Sequence, residues 1–179
     1  MNQLNLFDIE TAPEESRPLL ENSLKGFGMI PNLHGVMAGS PQVLEAYKTL
    51  GDLFQGSSLN NDELTVVWQT INIEHNCHYC VPAHTGVAHM MKVDQSLIDA
   101  LNNKEPMPTE KLQALQDMTL KILRERGQVS SADVESFYAA GYESRQLMEI
   151  VLGMAQKVMS NYINHMAKTP VDEAFQKFA

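Results

Sequence analysis

Apolar residues recur along this chain every three or four positions, and no stretch sustains the apolar/polar alternation of a half-buried strand. That period predicts helices nearly throughout and an all-α fold. Residues 1–12 read as a loose arm, and Pro13, Pro18, Pro31 and Pro41 punctuate the next stretch, with Gly26-Phe27-Gly28 as a turn. Ser40-Pro41 is an N-cap followed by proline at the first helical position. A helix is predicted from there to about Leu53, with Val43, Leu44, Tyr47, Leu50 and Leu53 at helical spacing. The next runs from about Asp62 to Ile73, capped by Asn60 or Asn61, with Glu63 in the first turn where the helix dipole favours an acid. Helices over 83–91, 93–101 and 110–124 come after it, with Pro106 and Pro108 in the loop before the last and Gly127 ending it. Ser130-Ser131-Ala132-Asp133 opens a helix to about Ala140, Gly141 stops it, and Ser144 caps a long final helix to about Lys168.

The segment that breaks this regularity is Glu74-His75-Asn76-Cys77-His78-Tyr79-Cys80-Val81-Pro82-Ala83-His84. Proline lacks an amide hydrogen and is tolerated in the first turn of a helix, not deeper. A helix holding His84 therefore starts near residues 78–81, which puts Cys80 at its N-terminus, where partial positive charge stabilises a thiolate. The alternative is one helix from Glu74 to His89, kinked at Pro82. At ~100° per residue Glu74, Cys77, Cys80 and His84 then share about a third of the circumference. Either geometry brings both thiols and His84 together. The two halves of the chain also share a pattern consistent with two tandem helical repeats, in which Cys80 and His84 align with Asn161 and His165.

Composition narrows the chemistry. The 179 residues suit a single domain, residues 1–179. A net charge of −9 excludes the basic face that a phosphate backbone requires and disfavours an anionic membrane. The N-terminus lacks the features of a signal peptide, and no apolar run approaches the ~20 residues that span a bilayer. The expected location is therefore cytoplasmic, where a permanent structural disulfide is disfavoured. Yet the only two cysteines stand three apart. Cysteines so spaced at a helix start can bring their Cα atoms within the ~4.4–6.8 Å that a disulfide needs. His84, one turn after Cys80, is placed to take the thiol proton or to hold an imidazolium beside the thiolate. Glu63 and Glu74 are the carboxylates near enough in sequence to orient it.

Three readings of the pair compete: a working redox dithiol, inert buried thiols, or a zinc site of Cys77, Cys80, His84 and one of His75, His78 or His89. No second Cys/His pair with ligand spacing accompanies them, so the redox reading leads. Elsewhere, His34 reads as a surface or packing residue, and His165 with Asn161 and Asn164 as a helix-packing cluster. Trp68 and Tyr79 also read as packing residues, with Tyr79 between the thiols placed to border a substrate. The methionines of the predicted helices read as core or subunit contacts.

The run from Glu74 to His84 resembles the active-site signature of the carboxymuconolactone decarboxylase superfamily, in its alkylhydroperoxidase D-like (AhpD-like) branch. Pro31-Asn32-Leu33, Met37-Ala38-Gly39-Ser40-Pro41, Gly127-Gln128-Val129-Ser130, Ala140-Gly141-Tyr142 and Ser160-Asn161-Tyr162-Ile163-Asn164-His165 extend the likeness over most of the chain. The resemblance implies an AhpD-like helical fold and homo-oligomers, commonly trimers or hexamers. It implies a peroxidase or disulfide reductase with no metal, haem or other cofactor. Its substrate is a small-molecule peroxide and its electrons come from a thiol or protein donor. It makes Cys80 peroxidatic and Cys77 resolving, with His84 as the motif histidine and Glu63 as the relay carboxylate, Glu74 competing. Tyr79 departs from the relay histidine of the family's peroxidases, and Pro82 is a second departure. Two other functions stay open: a redox-sensing or partner-binding dithiol module without turnover, and a lactone decarboxylase-like or isomerase-like enzyme using His84 and Glu63.

Overall fold

The computed structural model describes residues 4–179, and all regular structure among them is helical. The α-helices are α1 (Arg17–Phe27), α2 (Asn32–Met37), α3 (Pro41–Gln55), α4 (Asn61–Glu74), α5 (Cys80–Met90), α6 (Gln95–Asn103), α7 (Glu110–Arg124), α8 (Ser131–Ala139) and α9 (Ser144–Ala167). Short 3-10 helices precede α1 (Glu14–Ser16) and end the chain (Glu173–Phe178).

The starts follow local chemistry. Asn60 and Glu63 close a reciprocal capping box on α4, with both hydrogen bonds 3.0 Å, and Ser130 and Asp133 do the same for α8. Thr109 caps α7 through the Leu112 amide. For α9 the cap is Glu143 rather than Ser144, because Gln146 Oε1 reaches back to accept from the Glu143 amide at 2.9 Å.

The stretch before residue 40 is more ordered than its prolines suggest. Pro13 and Pro31 are N-caps and Pro18 lies in the first turn of α1, so each starts a helix where its missing amide hydrogen costs nothing. Gly26 continues α1, and only Gly28 ends it, at φ 73°. Nor are residues 4–12 a loose arm. The Phe7 amide donates to Gly35 O at 3.2 Å, and Ala12 is buried. A Cβ on Gly35 would stand 2.6 Å from Phe7 O, so that contact requires glycine. Residues 1–3 of the expected arm lie outside the described residues.

Helix α4 is the centre of the molecule, buried without interruption from Glu63 to Asn72 and packed against α5, α7 and α9. A helix covered on every side needs no polar face, hence its unbroken run of apolar and neutral residues. One core lies on the side of α6, α7 and α8 and holds Val67, Ile71, Leu97, Leu115, Phe137 and Ile150. The other is built from α1, α2 and α3 through Leu20, Leu33, Met37, Leu44 and Tyr47, and it includes Cys77, Tyr79 and Cys80. Each fully buried aliphatic side chain contributes ~1.5–3 kcal/mol. The thiols thus sit in packed apolar surroundings. Among the described residues no helix is long and apolar enough to cross a membrane.

Candidate active site

Asn76 ends the helix that carries the central core. It adopts φ 51°, the left-handed conformation that asparagine accepts more readily than most residues. The chain then turns through 77–79 and re-enters a helix at Cys80. Of the two geometries open from sequence, the structure takes the broken one, with Pro82 in the first turn of α5. Cys80 is the first residue of that helix, and its amide donates to Cys77 Sγ at 3.2 Å. Both thiols are free, with Cys77 0% and Cys80 1% exposed.

Polar side chains from two other helices converge on this start. From α4, Asn72 Nδ2 donates to Cys80 O at 3.4 Å and Gln69 Nε2 to Val81 O at 3.2 Å. From α9, Asn164 Nδ2 donates to Cys80 Sγ at 3.2 Å, and Ser160 Oγ lies 3.9 Å from the same sulfur. Asn161 links the two sets, donating to Asn72 Oδ1 at 2.9 Å. Lys157, one turn before Asn161, is 1% exposed, and its Nζ stands 2.6 Å from His84 Nε2.

This environment separates the two thiols electrostatically. Burial alone raises the pKa of the Cys80 thiol. A hydrogen bond from the Cys77 thiol, the Lys157 ammonium and the amides of Asn164 and Asn161 outweigh it and bring the pKa below the ordinary thiol range. Cys77 moves up, first because it donates to Cys80 and then because it is buried. Burial, aided by the Lys157 charge, holds His84 well below its usual value, so the ring is neutral at pH 7. Lys157 is itself lowered by burial, an effect opposed by the nearby thiols.

The structure thus brings Cys77, Cys80 and His84 together and places Glu63 and Glu74 with other partners. His84 does lie beside the pair, lining the same cavity as Cys80. Its partner, however, is Lys157, so the cation near the sulfur is an ammonium and not an imidazolium. Glu63 and Glu74 make their contacts elsewhere. Glu63 is held by the Asn60 amide and by Lys111 at 3.1 Å. Glu74 ends α4 in a two-point pair with Arg124 at 2.7 and 2.8 Å, because the break at Asn76 takes it off the face that carries Cys80. His165 is exposed, its ring stacked with that of His78, so the aligned Asn161/His165 pair builds no second site. The candidate zinc histidines are also engaged elsewhere. His75 meets Asn161, His78 meets Thr169 O, and His89 stacks on Phe178. Among the described residues no group of three or more His, Cys, Asp or Glu is placed to hold a metal.

Sequence reasoning misses Lys157, Ser160 and Asn164 as residues serving the thiols. The available signal is the polar set Gln156, Lys157, Ser160, Asn161 and Asn164, which recurs at helical spacing and is wholly buried. The outer face of α9 carries Met148, Val151, Tyr162 and Met166, each more than half exposed. The helix is inverted relative to ordinary amphipathicity, and for that reason its inner face reads as a surface.

A cavity of about 430 Å³ opens onto Cys80. Its walls are largely apolar and aromatic, including Phe27, Tyr47, Trp68, Met90 and Phe175, with His84 and Lys157 at the same wall as the thiol. Trp68 is more than packing: its Nε1 donates to Gln156 at 2.8 Å and its ring centroid lies 5.0 Å from that of His84. His34 is buried, not at the surface, and its Nδ1 meets Ser23 Oγ at 2.9 Å. Tyr79 lines the cavity too, fixed by its hydroxyl donating to Asp172 at 2.5 Å.

No family model matches the sequence, and no curated protein sequence matches it either. Solved structures do. The alkylhydroperoxidase AhpD core of a peroxidase-related protein from Ralstonia eutropha JMP134 superposes with a TM-score of 0.84 at 19% identity, over 96% of this chain and 92% of that one. A peroxidase-related protein from Silicibacter sp. TM1040 gives 0.81 at 21% identity over 99% and 94%. The debrominase Bmp8 gives 0.76 at 13% identity over 99% and 96%, and a cysteine-to-alanine variant of it is known in complex with 2,3,4-tribromopyrrole. The chain has the AhpD-like helical fold of these proteins.

Proposed function

We propose that this AhpD-fold protein is a dithiol oxidoreductase that reduces organic hydroperoxides, with Cys80 attacking and Cys77 resolving. The observation that carries the reading is the sulfur of Cys80. It receives an amide hydrogen bond at 3.2 Å, begins a helix, and lies at the wall of an apolar cavity. A thiolate held there is the nucleophile that thiol chemistry requires. It attacks the distal peroxide oxygen, the O–O bond breaks, and Cys80 becomes a sulfenic acid while an alkoxide leaves. Cys77 then attacks that sulfur, the S–O bond breaks, a disulfide forms, and hydroxide departs as water. An external thiol or protein dithiol returns the two electrons. The cavity walls favour a substrate with an apolar body over hydrogen peroxide itself, since burying such a body is worth ~25 cal/mol per Å².

The same walls favour one second reading. A thiolate can also attack a halogen on an electron-rich ring: the carbon gains a proton from solvent, the C–X bond breaks, and the halogen passes to Cys80 as a sulfenyl halide, from which Cys77 displaces halide to close the disulfide. The likeness to the debrominase and the aromatic lining support it. The alternative that pairs His84 with Glu63 finds no support, since these residues meet different partners.

The test is consumption of cumene hydroperoxide with dithiothreitol as donor, run beside halide release from a brominated pyrrole. The expected result is hydroperoxide turnover that Cys80→Ser abolishes. Halide release without hydroperoxide loss would move the assignment to the second reading. Unchanged consumption by the serine variant would remove Cys80 from the reaction.

A further inference from the structure

A leaving alkoxide needs a proton, and the acids expected from the sequence cannot supply it. His84 is neutral and its Nε2 is engaged by Lys157 Nζ. Glu63 and Glu74 are tied to Lys111 and Arg124. Cys77 spends its thiol proton on Cys80. Lys48 also lines the cavity, but its Nζ is taken up by Leu19 O and Ser23 Oγ, both at 3.0 Å.

Lys157 remains. It is 1% exposed in the wall that also carries Cys80 and His84, and among the described residues it has no carboxylate partner. A buried ammonium without a counter-ion is expensive, so its retention calls for an anion at the same place. The Cys80 thiolate is one such anion, and the departing oxygen of a substrate is the next. Ser160, one turn after Lys157 on α9, has its Oγ 3.9 Å from Cys80 Sγ, so the same stretch of α9 faces the thiol. His84, as acceptor at 2.6 Å, fixes the direction of one Lys157 N–H and leaves the others free.

We propose that Lys157 is the general acid of this site, giving a proton from Nζ to the alkoxide oxygen that leaves when Cys80 takes the distal oxygen of a hydroperoxide. The assignment rests on the peroxide reading above. Every proton has a destination. The Lys157 ammonium becomes an amine as the alcohol forms. The amine then takes the proton of the Cys77 thiol, which frees Cys77 to attack the sulfenic sulfur. Hydroxide leaves that sulfur and is neutralised by the proton that Cys80 first gave to solvent. Lys157 ends as it began, and two electrons have passed from the dithiol to the peroxide. Burial, which makes an ammonium a stronger acid, suits it to this task.

An acid can be told from a charge that merely holds the thiolate by changing the leaving group. Cumene hydroperoxide releases an alkoxide, which needs the proton, whereas peracetic acid releases a carboxylate, which does not. Lys157→Met fills the buried space without an acid, and Lys157→Arg keeps the charge as a far weaker acid. Rates of Cys80 oxidation by both oxidants are compared at a pH where alkylation shows Cys80 fully ionised in each variant. Wild type should oxidise with both. In both variants the cumene hydroperoxide rate should fall by about a hundredfold or more, the scale of general acid catalysis. The peracetic acid rate should fall by less than about tenfold. Equal losses with the two oxidants would overturn the assignment and leave the peroxide reading standing. The arginine variant gives the same comparison should the methionine variant not fold. Wild type that reacts with neither oxidant would overturn both readings.

Discussion

A thiol with 1% of its surface exposed should resist ionisation, because burial penalises the charged form. At Cys80 three kinds of group reverse that tendency: the Cys77 thiol, the Lys157 ammonium and the amides of α9. Asn164 shows how the last of these works. Its Nδ2 donates to the sulfur at 3.2 Å, while its Oδ1 is buried with no partner among the described residues. An unpaired buried acceptor costs stability. Among the described residues the sulfur is thus the one hydrogen-bond partner of this amide group. A hydrogen bond to a charged acceptor is worth ~1.5–3 kcal/mol. Asn164→Ala should therefore raise the Cys80 pKa by about one to two units. The midpoint of iodoacetamide alkylation against pH should lie below the free-thiol value of ~8.5 in the wild type and move up by that amount in the variant. An unmoved midpoint, in a variant that melts as a folded protein, would show that the amide does not hold a thiolate.

Three elements make the site, and each is legible in the sequence to a different degree. Helix α5 can be read to one of two geometries, because Pro82 allows either a start near residues 78–81 or a kinked continuous helix, and the structure takes the first. Helix α4 is legible to within a residue at either end, since its capping box is written in Asn60 and Glu63. That same legibility is why Glu63 misleads. An acid in the first turn of a helix is explained by the cap and by Lys111, and neither contact involves His84. Helix α9 is legible nearly to its ends while its function is hidden. Its register against α3 depends on close approach. A Cβ on Gly153 would meet the Phe54 ring at 2.7 Å, and one on Gly51 would meet Gln156 Nε2 at the same distance. That approach delivers Lys157, Ser160 and Asn164 to the thiol from the far end of the sequence. Gly153→Ala should force Phe54, which is fully buried, off its position. The cost is about 1–3 kcal/mol, lowering Tm by several degrees. A thermal melt identical to that of the wild type would show that the contact has slack.

Over the whole molecule, the all-helical pattern, the α-helices from residue 40 onward to within a few residues at their ends, and the spacing of the two cysteines are readable from local pattern. The features that escape are set by contacts between distant segments. Residues 4–12 are pinned by Gly35, and the tail after Lys168 is pinned by Asp172, which meets both Tyr79 and the Asn32 amide. Tyr79 thereby gains a role its position between the cysteines could not reveal. Its hydroxyl accepts from the Leu33 amide at 3.3 Å and donates to Asp172, tying the turn that carries both thiols to α2 and to the C-terminal segment. No spacing rule announces a partner 93 residues away. The buried lysine likewise becomes meaningful only when α9 lies against α5.

In the proposed cycle Cys80 is the residue oxidised and Cys77 the one that resolves it. Intact-mass spectrometry of the reduced protein after one equivalent of cumene hydroperoxide tests this directly, with Cys77→Ser treated in the presence of dimedone. The wild type should lose the mass of two hydrogens, with a Cys77–Cys80 disulfide in its peptide map, and the variant should carry a single dimedone adduct on Cys80. An adduct on any other residue, or thiols left unchanged by the hydroperoxide, would contradict the account.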